Sequence, residues 1–141
     1  HLRLTKLALT TGFRRSELLS LTWRNIDLNK EKIYVQRKEC AARGGSSSMR
    51  IVPLPTNAKM LLRSFENKEG KLLPLTKGSA RNGFDKARKR AELETLRFHD
   101  LRHIAISRMW SYGMNALEIS ACSGHSDMKM FMRYSHYQLS I

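Results

Sequence analysis

Three ionisable side chains, His99, Arg102 and His103, fall within five residues of one another in the stretch LRFHDLRHIAI. A histidine has an unperturbed pKa of about 6.5, so it can donate or accept a proton near neutrality. An arginine keeps its charge and presents a planar fork that matches two oxygens of a phosphate. On a helix, positions 99, 102, 103 and 106 share one side, because steps of three and four residues return to the same face. His99 and Arg102 can then reach a common anionic target, while Leu101, Ile104 and Ala105 pack elsewhere. Taken alone, the stretch also fits an ordinary solvated basic helix.

Two other segments carry residues of the same kind. TGFRRSEL places Arg14 just after a glycine turn, at the start of a helical segment, with Arg15 beside it as a surface charge. SGHSDMKMFMRYSH places His125 on a second glycine turn and Tyr134 nine residues later. A phenol with a pKa of about 10 is a poor nucleophile at neutral pH, so a reacting tyrosine needs a base or surrounding positive charge.

The composition narrows the partner. Lys and Arg number 26 against 12 Asp and Glu, a formal charge of +14 on 141 residues. Such an excess repels itself in a compact fold unless it meets a polyanion, which makes nucleic acid the leading partner. An anionic membrane surface is the competitor, but no apolar run approaches the ~18–20 residues needed to cross a bilayer, and no signal peptide is visible. At 41% hydrophobic the chain is rich enough to bury one core. Cys40 and Cys122 have neither CxxC nor metal-ligand spacing, as expected of a reduced, intracellular protein. The chain begins at His1, already inside an apolar periodic segment, and reads as a piece of a longer polypeptide.

The elements that must position these residues are mostly helical. Leu4, Leu7, Ala8 and Thr11 have helical spacing and Gly12 ends that helix. RRSELLSLTW opens a second, with Leu18, Leu21 and Thr22 along one side. KIYVQ and MRIVPL read as strands of a hairpin around the flexible AARGGSSS. Pro55 and Thr56 open a helix with an apolar stripe of Ala58, Leu61, Leu62 and Phe65. LLPLTKGSA is a connection with a possible edge strand. RNGFDKARKRAEL is a basic helix with Phe84, Ala87 and Ala91 inward. HDLRHIAISRMW is a helix ending near Gly113. Asn115 and Glu118 have capping-box spacing for the next helix, Gly124 breaks it, and Ser126 or Asp127 caps a last one.

In order, TGFR, HDLR, GH and RY resemble the catalytic domain of the tyrosine recombinases, the phage-integrase family, over essentially the whole chain. The resemblance implies an α+β fold, a mainly helical catalytic domain with a small antiparallel β-sheet, spanning 1–141. The N-terminal DNA-binding domain common in the family is expected to be absent from this piece. It also implies a site-specific recombinase or integrase that cleaves and rejoins DNA through a 3′-phosphotyrosyl intermediate, with no cofactor or metal. Arg14 and Arg102 match the phosphate-clamping arginines, His99 the histidine that assists proton removal, His125 the second phosphate-binding histidine, and Tyr134 the nucleophile. Fixed cations suit a transition state that gathers negative charge on phosphate oxygens. Tyr137 is the alternative nucleophile.

Lys38 is the candidate that protonates the leaving 5′-oxygen, with Arg37 and Arg43 as alternatives, because the loop after it is longer than the family's usual turn. Ser123 stands where the family usually has a larger apolar residue, and is expected to alter packing more than chemistry. Arg81, Arg88, Lys89 and Arg90 are candidate DNA contacts on a basic helix. The expected partner is double-stranded DNA, bound by a tetramer of full-length protomers without any membrane, in the bacterial cytoplasm at the nucleoid. A non-catalytic DNA-binding remnant of a mobile-element integrase and a type IB topoisomerase-like nicking-closing enzyme remain alternatives.

Overall fold

The computed structural model describes residues 1–36 and 49–125. Helix α1 (Leu2–Thr11) buries Leu4, Leu7, Ala8 and Thr11, the stripe that its spacing predicts. Gly12 ends it in the left-handed region at φ 72°, with its N–H bonded back to the Ala8 carbonyl. A side chain is disfavoured in that conformation, so glycine is the natural stop. Helix α2 (Arg15–Ser20) is shorter than the sequence suggests. Leu21 returns to extended backbone, and a separate 3₁₀ turn forms over Trp23–Asn25. Thr22 therefore caps that turn through Asn25 instead of lining a helix.

Three antiparallel strands follow in the order β1 (Ile26–Asp27), β2 (Lys32–Gln36) and β3 (Met49–Pro53). The hairpin strands lie where their alternation places them. β1 was not anticipated, because two residues are too few to show a period of two. Ile33 pairs with Val52 and Val35 with Arg50, and all four are buried. An arginine thus occupies a core-facing position of a strand. Lys38, with Arg37 and Arg43, lies outside the described residues, as do Tyr134, Tyr137 and the expected last helix.

Helix α3 (Thr56–Arg63) buries Ala58 and Leu62, and Phe65 follows just beyond it. Helix α4 (Lys77–Arg90) begins earlier than expected, because Thr76 caps it by accepting the Ser79 N–H at 3.0 Å. KGSA is consequently helical, and the edge strand expected nearby reduces to one bridge between Thr22 and Lys71. The inward side of α4 also differs. Ala80 is buried and Phe84 half-buried, whereas Ala87 and Ala91 are exposed. The half-buried stripe continues at Arg88, four residues after Phe84, because its guanidinium turns back to the Glu94 and Leu96 carbonyls. Two alanine methyls carry too little apolar area to rotate the helix against that arrangement.

Helix α5 (Phe98–Ser111) and helix α6 (Ala116–Ser123) complete the described fold. Asn115 and Glu118 form the expected capping box, each side chain bonded to the other's backbone N–H. Gly124 ends α6 at φ 75°. Helix α1 packs against α2, α3 and α5, while α6 packs against β3 and α5. Their inward faces merge into one core, including Leu7, Leu18, Ile33, Leu62, Ile106 and Ile119. Each such side chain contributes roughly 1.5–3 kcal/mol when fully buried. Cys122 joins that core, and burial pushes its thiol pKa up, so it packs as a small apolar side chain. Among the described residues, no helix is long and apolar enough to cross a membrane.

Candidate active site

The packing of α1 on α5 brings the two glycine turns to the arginine of HDLR. Arg102 is 2% exposed, although its sequence context suggests a solvated face. Its Nη1 donates to the Gly12 carbonyl at 3.0 Å, and its Nη2 stands 3.0 Å from both ring nitrogens of His125. A buried guanidinium needs such acceptors to offset its desolvation. The TGF turn is held from inside as well. The Thr11 hydroxyl donates to the Leu7 carbonyl at 2.6 Å and accepts the Phe13 N–H at 3.2 Å.

Arg14 sits at the N-cap of α2, half-buried. Its backbone N–H donates to Glu17 Oε2 at 3.0 Å and its Nη1 to Glu17 Oε1 at 3.3 Å. Glu17 is itself buried and meets a second arginine, Arg50 of β3, at 2.8 Å and 3.1 Å through both carboxylate oxygens. Burial pushes the Glu17 carboxyl up, but the hydrogen bonds to Arg50 and to the Arg14 backbone, with both positive charges, outweigh it and hold the pKa below the usual value. Glu17 is therefore ionised at neutral pH.

Phe13, Arg14, Arg15, Phe98, His99 and Arg102 line one cleft of about 260 Å³. His99 stands at its exposed side, its ring edge-on to that of His103 with centroids 5.0 Å apart. Partial burial, then the charges of His103, Arg102, Arg14 and Arg97, lower the His99 pKa. The imidazole is thereby kept neutral at pH 7 and able to accept a proton. His125 is shifted further, down to about 4, by burial and then by Arg102, Arg14, His103 and His99. Because a guanidinium can only donate, a neutral ring is the form that suits its neighbour.

The structure thus brings Arg14, His99, Arg102 and His125 together, whereas Lys38 and Tyr134 lie outside the described residues. Arg15 is more than a surface charge: it lines the cleft, with its guanidinium 5.7 Å from the centre of the Phe98 ring. Phe98 in turn packs edge-on against Phe84, which ties the basic helix α4 to the floor of the site. On α4, Arg81, Lys89 and Arg90 are exposed. Arg88 is committed to the protein itself, pairing with Asp85 at 3.0 Å and bonding loop carbonyls.

Two residues, Glu17 and Arg50, escaped the sequence reading, and the role of a third, Ser123, was underread. Glu17 has a visible signal, since an acid three residues after the N-cap is the acidic half of a capping box. Arg50 has a subtler one, a charge in the core-facing register of MRIVP. Ser123 was expected to alter packing more than chemistry, yet it is fully buried with its Oγ 2.8 Å from His125 Nδ1. Its hydroxyl therefore orients the ring directly, a consequence of the tight turn at Gly124 that folds residue 125 back over residue 123.

Comparison with known proteins agrees with this constellation. The family model described as "Phage integrase family" matches residues 1–140. The shufflon-specific DNA recombinase of Escherichia coli is 39% identical over 132 residues, covering 92% of this chain and 33% of that protein. The tyrosine recombinase XerA of Saccharolobus solfataricus is 30% identical over 137 residues, covering 95% of this chain and 45% of its own length. This chain accordingly spans between a third and a half of those relatives. Among solved structures, the catalytic domain of bacteriophage HP1 integrase superposes with a TM-score of 0.75 at 30% identity, covering 98% of this chain and 75% of that one. With a match running from its first helix through the RY segment, this chain belongs to the phage integrase family.

Proposed function

We propose that this chain is the catalytic part of a site-specific DNA recombinase that cuts and rejoins strands through a tyrosyl phosphodiester. The observation that carries the reading is the convergence of Arg102, Arg14 and His99 on one cleft, with His125 bonded behind Arg102. In this reading the two guanidinium groups bind the non-bridging oxygens of the scissile phosphate. Their value lies in being fixed before charge develops, since Gly12 O and Glu17 already set their positions.

Tyr134 attacks phosphorus, the bond from phosphorus to the 5′-oxygen breaks, and a 3′-phosphotyrosyl bond forms. The phenol proton passes to His99, and Lys38 supplies a proton to the departing 5′-oxygen. Attack by a 5′-hydroxyl of a partner strand reverses each transfer. His125 donates to the phosphate as a neutral imidazole once substrate is present. Arg81, Lys89 and Arg90 track the DNA backbone beside the cleft. Double-stranded DNA is the partner, and four full-length protomers hold two sites together, in the cytoplasm of a bacterial cell. DNA as partner is supported by a similarly folded Tn1549 transposon integrase, solved in complex with circular intermediate DNA.

The test is covalent capture. Nicked suicide substrates built from the native element's ends are incubated in EDTA with wild type and with Tyr134→Phe, then run on a denaturing gel. An adduct from wild type alone is the expected result. An adduct that persists in the variant moves the nucleophile, with Tyr137 first in line. Tight binding without any adduct supports a DNA-binding remnant. Adduct formation with relaxation of supercoils but no joining of two sites supports a nicking-closing enzyme.

A further inference from the structure

We propose that Arg50 is the positioning residue of this site, a buried guanidinium that sets Arg14 through Glu17 and shapes the turn that presents His125. The inference rests on the recombinase reading above. Arg50 lies on β3, 6% exposed, at a register position whose neighbours on the same face, Val52 and Leu54, are apolar. A hydrophobic side chain there would avoid the desolvation of two charges, and replacing buried pairs in that way is often neutral or stabilising. What a hydrophobic side chain would lose is orientation.

Three contacts show what is oriented. Both carboxylate oxygens of Glu17 accept from Arg50, at 2.8 Å and 3.1 Å. Those same oxygens accept from Arg14, so one carboxylate bridges a buried arginine and the arginine of the cleft. The Arg14 contact is local, three residues along the chain, and its side chain is 34% exposed. Without Arg50 the carboxylate has no long-range anchor among the described residues, and Arg14 follows it. On its other side the guanidinium lies under the end of α6. Its Nη2 is 3.5 Å from the Cys122 carbonyl, and a Cβ on Gly124 would come within 2.9 Å of its Cζ. Gly124 is therefore favoured by its φ of 75°, and an added Cβ would also have to displace the guanidinium beneath it. The Phe13 ring, a wall of the cleft, covers the group with its centroid 5.2 Å from Cζ. Arg50 thus touches the supports of Arg14 and of His125 while standing outside the cleft itself.

The test uses the full chain with Arg50→Met, Arg50→Lys, Arg14→Ala and the Arg14→Ala/Arg50→Met double variant. Adduct formation is followed on the suicide substrate at saturating DNA, and DNA affinity is measured separately. Arg50→Met should slow cleavage about 100-fold, the size expected when a catalytic group is displaced by about 1 Å, with DNA affinity unchanged. Arg50→Lys should recover part of that loss, since an ammonium retains charge but cannot span both oxygens. In the Arg14→Ala background the Met substitution should cost clearly less than in wild type, the remainder reporting on the His125 turn, because coupled residues are non-additive. An equal slowing in both backgrounds, or a slowing fully accounted for by a smaller folded fraction, would overturn the proposal.

A second readout needs no catalysis. The Arg14 Nε–H resonance is titrated with inorganic phosphate in wild type and in Arg50→Met. A broadened signal and phosphate binding weakened about tenfold, typical for loss of an orienting partner, supports the role; an unchanged titration overturns it. If wild type forms no adduct, the recombinase reading fails, and this titration still decides Arg50.

Discussion

Two cationic regions of this molecule differ in what holds their charges. Around the cleft, Arg102 and Arg50 are buried, with Arg14 half-buried beside them, and each bonds acceptors that the fold supplies. On α4, Arg81, Lys89 and Arg90 stand in solvent, without such a network among the described residues. Charges of the first kind are costly to place and act at fixed positions; charges of the second kind are screened by salt and interchangeable. The contrast separates groups suited to stabilising a transition state from groups suited to holding a long polyanion.

The sharpest way to break the contrast is to keep a charge and remove its geometry. Arg102→Lys should lower the adduct-forming rate by about 100- to 1,000-fold, the range seen when a single preorganised donor is lost. Single-turnover capture measures this. If a mere positive charge at position 102 were enough, the rate would hold and the distinction between the two regions would fail. Comparable in size is Glu17→Gln, which leaves Arg50 buried beside a neutral partner. Removing one member of a buried pair costs about 3–5 kcal/mol, so urea melts should show a lowered midpoint with the slope unchanged.

Acid should attack the cleft and spare α4. An unfolded chain protonates His125 below about pH 6.5, whereas the folded protein does so only below about 4. Between those values the unfolded state binds more protons, so stability falls as pH drops from 6.5 towards 4. The His125 share of that loss is on the order of 3 kcal/mol. Urea melts at pH 7 and pH 4.5 should show it in wild type and much less of it in His125→Asn. Glu17, with its lowered pKa, adds its own loss at more acidic pH, below its ordinary value near 4.5. The smallest effects belong to α4. Lys89→Ala or Arg90→Ala should change stability by no more than about 0.5 kcal/mol. Each should reduce the salt-dependence slope of DNA binding by about one, measured by anisotropy across a salt series.

Much of the scaffold was legible locally. Gly12 and Gly124 stop their helices because only the left-handed conformation closes those turns, and the Asn115–Glu118 box is a matter of spacing. The hairpin strands followed from alternation. The inward face of α4 was misjudged, since alanines mark a face weakly and Arg88 took the position beside Phe84 through carbonyls that only the folded loop brings near. In the site, the ordered motifs singled out Arg14, His99, Arg102 and His125 as candidates. They did not reveal that Arg102 is buried, that Ser123 touches His125, or that Arg50 and Arg14 share one carboxylate.

The sequence by itself determined the helix stops at Gly12 and Gly124, the two hairpin strands, the cationic excess and the chemical types available for a phosphate site. These depend on conformational preferences of single residues and on periods of two and 3.6, which are properties of neighbours along the chain. Tertiary structure alone decided which cations became rigid. Gly12 and Arg102 are 90 residues apart, Glu17 and Arg50 are 33 apart, and Arg50 and Cys122 are 72 apart. No local preference specifies such contacts; they form because packing α1 on α5 and α6 on β3 buries the apolar faces and carries the polar groups with them.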